Sequence, residues 1–139
     1  MKYFRYILIL SCLTLFGCAK ADDDVASHPE AHSECKIRAA YTKTLVAGSS
    51  DIVYATIDES VEPAEIVFKI LKPKWDLYDL SRMRVRVTVT YDVMIEPNLG
   101  ERTFDLSDYD NPLPVKVRNT VTGQEKNYVM KAYKSVDLK

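Results

Sequence analysis

The chain has 139 residues, 19 basic and 20 acidic side chains, a formal net charge of −1, and 47% hydrophobic residues. A near-neutral chain with no concentrated basic stretch excludes electrostatically driven nucleic-acid binding, and its length suits one domain with a modest core. Four glycines and two histidines leave no material for a glycine-rich phosphate loop, and no Gly-x-Ser-x-Gly, His-Glu-x-x-His or Cys-x-x-Cys is present.

Lys2 and Arg5 give a short positive start, and residues 6–16 are an apolar run containing Ile7, Leu8, Ile9, Leu10, Leu13 and Leu15. The run falls short of the roughly 20 apolar residues that a membrane-spanning helix needs. It has instead the layout of a secretory signal peptide. At its end stands Leu15-Phe16-Gly17-Cys18, which resembles a bacterial lipobox, with Phe16 in place of the smaller residue the pattern prefers. The resemblance implies cleavage after Gly17 and acylation of the Cys18 sulfur and amine. Several acyl chains hold a protein firmly to a bilayer where one holds it marginally. Ala19-Lys20-Ala21-Asp22-Asp23-Asp24 follows and resembles the surface-export signal of Bacteroidota lipoproteins. That implies the outer face of the outer membrane; by composition alone the run is a solvated spacer.

Residues 1–17 are thus assigned to a signal peptide, residues 18–35 to the lipidated cysteine and a flexible tether, and residues 36–139 to the folded domain. Cys12 is removed with the signal peptide and Cys18 is acylated, so Cys35 has no partner for a disulfide. It reads as a small buried hydrophobe in preference to a reactive thiol. In the tether, His28 and His32 would share one face of a helix and could hold Zn²⁺ or Cu²⁺. A flexible spacer lacks the groups that orient such ligands, and no metal or cofactor is assigned.

Four strands are legible from period-two alternation. In residues 83–91, Met83, Val85, Val87, Val89 and Tyr91 make a dry face and Arg84, Arg86, Thr88 and Thr90 a wet one. Residues 64–71 are apolar on both sides, as in a well-buried strand. Residues 115–118 and 128–133 form a hairpin about a turn at Gly123. Weaker strands are expected at 37–46, 52–57, 93–95 and 102–106, and one helical turn at 77–82 with Asp76 as its cap. About seven short strands and no helix of normal length predict an all-β antiparallel sandwich.

The order of features carries a further resemblance. Ala64-Glu65-Ile66-Val67-Phe68-Lys69-Ile70 precedes Trp75-Asp76-Leu77-Tyr78-Asp79-Leu80; then come the alternating strand, Ile95-Glu96-Pro97, Thr103-Phe104-Asp105-Leu106-Ser107, Val115-Lys116-Val117 and Tyr128-Val129-Met130. This is similar to the small immunoglobulin-like domains at the N-termini of many Bacteroidota surface lipoproteins. It implies an immunoglobulin-like sandwich across roughly residues 37–133. Such domains typically precede a larger glycan-binding or enzymatic region, and no such region follows in this sequence.

Candidate chemistry is sparse. Asp105, Asp108, Asp110 and Asn111 offer oxygens of the kind calcium takes, but Asp and Asn also serve turns through their own backbone bonds. Trp75, Tyr78, Tyr91 and Tyr109 are the candidate ligand-binding residues, as an aromatic platform for a sugar; a lone tryptophan in a small domain also serves well as a core plug. Arg84, Arg86, Lys116 and Arg118 decorate the wet faces. The expectation is a non-catalytic lipoprotein of the cell surface, anchored to the membrane and binding a glycan or a surface protein partner. The alternative is a structural or assembly subunit that docks by strand addition.

Overall fold

The computed structural model describes residues 33–100 and 102–136. The signal peptide, Cys18, the acidic run, His28 and His32 lie outside the described residues. Eight strands follow in order: β1 (Ile37–Lys43), β2 (Ile52–Tyr54), β3 (Thr56–Asp58), β4 (Ala64–Leu71), β5 (Arg84–Val89), β6 (Val93–Glu96), β7 (Leu113–Asn119) and β8 (Glu125–Ser135). They form a three-stranded sheet, β2-β1-β5, and a five-stranded sheet, β3-β4-β8-β7-β6. Apolar side chains of both sheets share one core, so the fold is the all-β sandwich that the alternation predicts.

The inner face follows from the pattern of each strand. Ala64, Ile66, Phe68 and Ile70 of β4 are fully buried, and so are Val115 and Val117 of β7 and Met130 and Ala132 of β8. Their neighbours in sequence point outward, as the pleat requires. The β7–β8 hairpin turns where expected. Gly123 takes φ +73°, and its N–H donates to Asn119 O at 2.9 Å. The Asn119 side-chain oxygen accepts from the N–H groups of Val121 and Thr122, both at 2.9 Å.

Five differences from the sequence reading have local causes. The segment 52–57 is two strands: β2 pairs with β1 and β3 with β4, so the chain changes sheets at Ala55, whose N–H donates to Ala40 O. The five-stranded sheet is mixed, because β4 and β8 run parallel from Ala64↔Tyr128 to Leu71↔Ser135. The alternation of 83–91 ends at Val89. Thr90 is buried and Tyr91 exposed, because Thr90 binds the segment before β1: its N–H donates to Lys36 O and its hydroxyl to Glu34 O. The helical turn at 77–82 is replaced by two 3-10 turns, Lys72–Leu77 and Leu80–Arg82. Between them Tyr78 enters the core, and the capping carboxylate is Asp79, which accepts from Ser81 N–H. The expected strand at 102–106 is a single bridge, with Phe104 exchanging both backbone bonds with Met83.

The Glu34 carbonyl, which takes the Thr90 hydroxyl, also accepts from the Asn119 amide at 3.2 Å. Cys35 is buried, and its thiol donates to Gln124 O at 3.2 Å.

Candidate functional site

The four aromatic residues singled out in the sequence are spread over the molecule. Trp75 lies half-buried in the first 3-10 turn, packed against the core, and its indole N–H donates to Ile70 O at 3.1 Å. Tyr78 is 4% exposed, and its hydroxyl donates to Asp51 at 2.9 Å. Burial, and then the hydrogen bond to Asp51, push its phenol far above the ordinary range. The carboxylate of Asp51 is held below its usual range, first by the Lys74 ammonium at 2.8 Å and then by Tyr78, against an opposing contribution from burial. This triad fastens the loop before β2 to the 3-10 segment. Tyr91 is exposed beyond the end of β5. Tyr109 stands edge-on to Tyr133 with centroids 5.7 Å apart, and the Lys131 ammonium sits 4.6 Å from its centroid. With Trp75 half-buried and Tyr78 enclosed, these four do not share a platform.

The acidic loop is occupied with its own turns. Asp105 accepts from Ser107 N–H and hydroxyl, and Asp108 from the N–H groups of Asp110 and Asn111. Among the described residues, no group of three or more His, Cys, Asp or Glu side chains is placed to hold a metal ion.

The four basic residues divide between the two sheets. Lys116 and Arg118 lie on β7 and both reach Glu125, at 3.3 and 3.9 Å. On the same five-stranded sheet, Lys131 of β8 meets Glu65 of β4 at 2.8 Å. The three-stranded sheet is different. Its register places Tyr54, Tyr41 and Arg86 side by side in one row, and Ile52, Lys43 and Arg84 in the next. All six lie on the outward side of the pleat, since the intervening Val53, Thr42 and Val85 are buried. The Tyr41 and Tyr54 rings meet at 5.8 Å between centroids and 47° between planes, and Tyr54 is 69% exposed. Together they form an open apolar trough. Beside it, Tyr41, Lys43, Thr44, Leu45, Arg84 and Arg86 line a hollow of about 330 Å³. Lys43, Arg84 and Arg86 are exposed, and among the described residues no carboxylate lies within ion-pairing distance of them.

Sequence reasoning passed over Tyr41, Lys43 and Tyr54. The available signal was their alternation with Ala40, Thr42 and Val53, which marks them as outward. Their convergence depends on the register among β2, β1 and β5, which no single segment displays.

The sheet edges bear on strand addition. Ala40 O accepts from Ala55 N–H on the β2 side, so Tyr41 and Lys43 bond toward Arg86 and Arg84. Val85 and Val87 therefore turn their backbone groups to the outer edge of β5. That edge is closed at Met83 by Phe104, and Asn98, Leu99 and Gly100 flank it at Val87 and Thr88 across a hollow of about 300 Å³. The other edge strands, β2, β3 and β6, have three, three and four residues. Among the described residues no long open edge is offered.

No protein-family profile matches the chain, and no curated protein matches it. Two solved structures from Bacteroides are similar to it. A DUF4623 family protein from Bacteroides eggerthii is 16% identical with a TM-score of 0.49, over 75% of this chain and 22% of its own length. A protein described as a candidate secreted protein of Bacteroides fragilis is 18% identical with a TM-score of 0.49, over 76% of this chain and 98% of its own. The chain thus spans about a fifth of the first protein and nearly all of the second.

Proposed function

We propose that this chain is a non-catalytic, lipid-anchored module of the cell envelope, displayed at the outer membrane surface, that binds a glycan on the outward face of the β2-β1-β5 sheet. The address rests on the resemblance of residues 15–18 to a lipobox and of residues 19–24 to an export signal. The immunoglobulin-like kinship belongs to the same reading and rests on the core and turn pattern across residues 37–133. The observation that carries the binding reading is the trough of exposed Tyr54 and half-buried Tyr41, 5.8 Å between centroids, on the outward face of that sheet. Aromatic ring faces are electron-rich and attract the C–H groups of a pyranose, and rigid tyrosines lose little entropy on binding. The covered or short sheet edges favour this face over strand addition.

The test is affinity electrophoresis of the full chain in detergent through gels containing a panel of soluble polysaccharides. Retardation by at least one polysaccharide is expected, with loss of about fivefold or more in affinity on Tyr54→Ala, the scale of one lost aromatic stacking contact. Tyr109→Ala, in a loop packed against β8 of the other sheet, is expected to leave it unchanged. Retardation that survives Tyr54→Ala would remove this face as the site.

A further inference from the structure

We propose that the ligand is an acidic polysaccharide, one bearing carboxylate or sulfate groups, held with its anionic groups on Lys43, Arg84 and Arg86 and its sugar rings on Tyr41 and Tyr54. This deepens the glycan reading above and rests on it. The β1–β5 ladder carries an electrostatic anomaly. Lys43 stands directly across the ladder from Arg84, and Arg86 follows two residues later on the same face of the same strand. Like charges directly opposite one another on a sheet are destabilising. Elsewhere among the described residues most outward cations of the sheets hold carboxylates: Lys116 and Arg118 share Glu125, Lys131 holds Glu65, Lys126 holds Glu59 and Arg38 reaches Glu34, while Lys134 donates to Trp75 O at 3.1 Å. The three on the β1–β5 ladder have none. Among the described residues no carboxylate relieves their mutual repulsion.

The surroundings specify what kind of anion fits. Arg84 and Arg86 present planar guanidinium forks that match carboxylate and sulfate groups with paired hydrogen bonds. At ordinary residue spacing they lie roughly 7 Å apart along β5, with Lys43 roughly 5 Å away across the ladder. That geometry suits charges repeated along a chain better than one compact ion. The hollow of about 330 Å³ between them is walled by the Tyr41 ring and the exposed Leu45, which a bare inorganic anion would leave unused. Tyr54 continues the apolar row away from the cations. Alternating ring and charge is the composition of a uronic or sulfated glycan. Charge complementarity thus selects an acidic glycan over a neutral one, and the aromatic row selects a sugar over an acidic peptide strand.

Calorimetric titration of the full chain in detergent with polygalacturonate, heparin and uncharged dextran tests this. The expected result is binding of at least one of the two acidic polymers but not of dextran, with affinity that falls as salt is added. Arg84→Gln with Arg86→Gln is expected to weaken it by about tenfold or more, the scale of two lost charge-assisted bonds. Lys116→Gln with Arg118→Gln removes the same charge from the other sheet and is expected to leave it intact. A melting temperature that Arg84→Gln with Arg86→Gln does not lower separates binding from folding. If both pairs weaken binding equally, only net charge is being read and the inference falls. If dextran or another neutral glycan binds and Tyr54→Ala abolishes it, the glycan reading stands and its acidic form falls. If polyglutamate or phosphatidylglycerol vesicles bind while no polysaccharide does, both readings fall, and absence of all binding overturns both as well.

Discussion

At the scale of single residues, the sandwich is held at its two ends by hydroxyl–carboxylate pairs. Tyr128 is buried, donates its hydroxyl to Glu59 at 2.7 Å and accepts Ile37 N–H at 3.1 Å. One oxygen therefore ties β8 to the start of β1 and to the loop after β3. Tyr128→Phe leaves the buried Ile37 N–H without an acceptor, and a loss of about 1–3 kcal/mol in unfolding free energy is expected by urea denaturation. The carboxylate of Glu59 is held low first by Lys126 and then by Tyr128, and that of Asp51 first by Lys74 and then by Tyr78. A depressed folded pKa adds stability at pH values above the unfolded pKa, and this stability is lost as pH falls through the folded value. The melting temperature is expected to drop as pH falls below the ordinary values of 4.5 for Glu59 and 3.8 for Asp51. Asp51→Asn should flatten part of that acid limb. Neither partnership was legible in the sequence, since Glu59 and Tyr128 stand 69 positions apart.

At the scale of elements, legibility tracks how local the deciding interaction is. β4 occupies the very residues marked by its two apolar sides, Ala64–Leu71. The β7–β8 hairpin follows from alternation plus one glycine. Where a partner elsewhere decides, the pattern misleads: Ala55 divides one apparent strand between two sheets, and Thr90 ends the alternation of β5 because Glu34 and Lys36 claim it. Gly123 offers a direct check on the hairpin. Its φ of +73° is strained for any residue with a Cβ, although an added Cβ would meet nothing within 4 Å. Gly123→Ala is expected to lower stability by about 1 kcal/mol through backbone conformation alone, seen as a reduced denaturation midpoint with an unchanged slope.

At the scale of the whole molecule, the two outward faces differ in kind. The five-stranded face carries ion pairs between neighbouring strands, whereas the three-stranded face carries cations with no carboxylate partner among the described residues, beside exposed Tyr54 and half-buried Tyr41. This asymmetry was not readable from composition, because near-neutral net charge conceals how charge is divided between sheets. The alternating strands told which residues face outward, and only the register told which of them meet. The proposed anchor belongs to this scale too. Cys18→Ala is expected to move the protein from the membrane fraction to the soluble fraction, followed by fractionation and by metabolic labelling with a palmitate analogue.

The parallel pairing of β4 with β8 has a consequence for how the protein is made. β8, the last of the described strands, lies in the middle of its sheet between β4 and β7. Ribosomal synthesis delivers β3, β4, β6 and β7 before the strand that joins them exists, so the five-stranded sheet cannot close until residues 125–135 have emerged. A chain lacking residues 125–136 is expected to show no cooperative unfolding transition by circular dichroism. The export proposed above, if it threads an unfolded chain, would find this sheet still open, with its closure deferred until residues 125–135 have passed through.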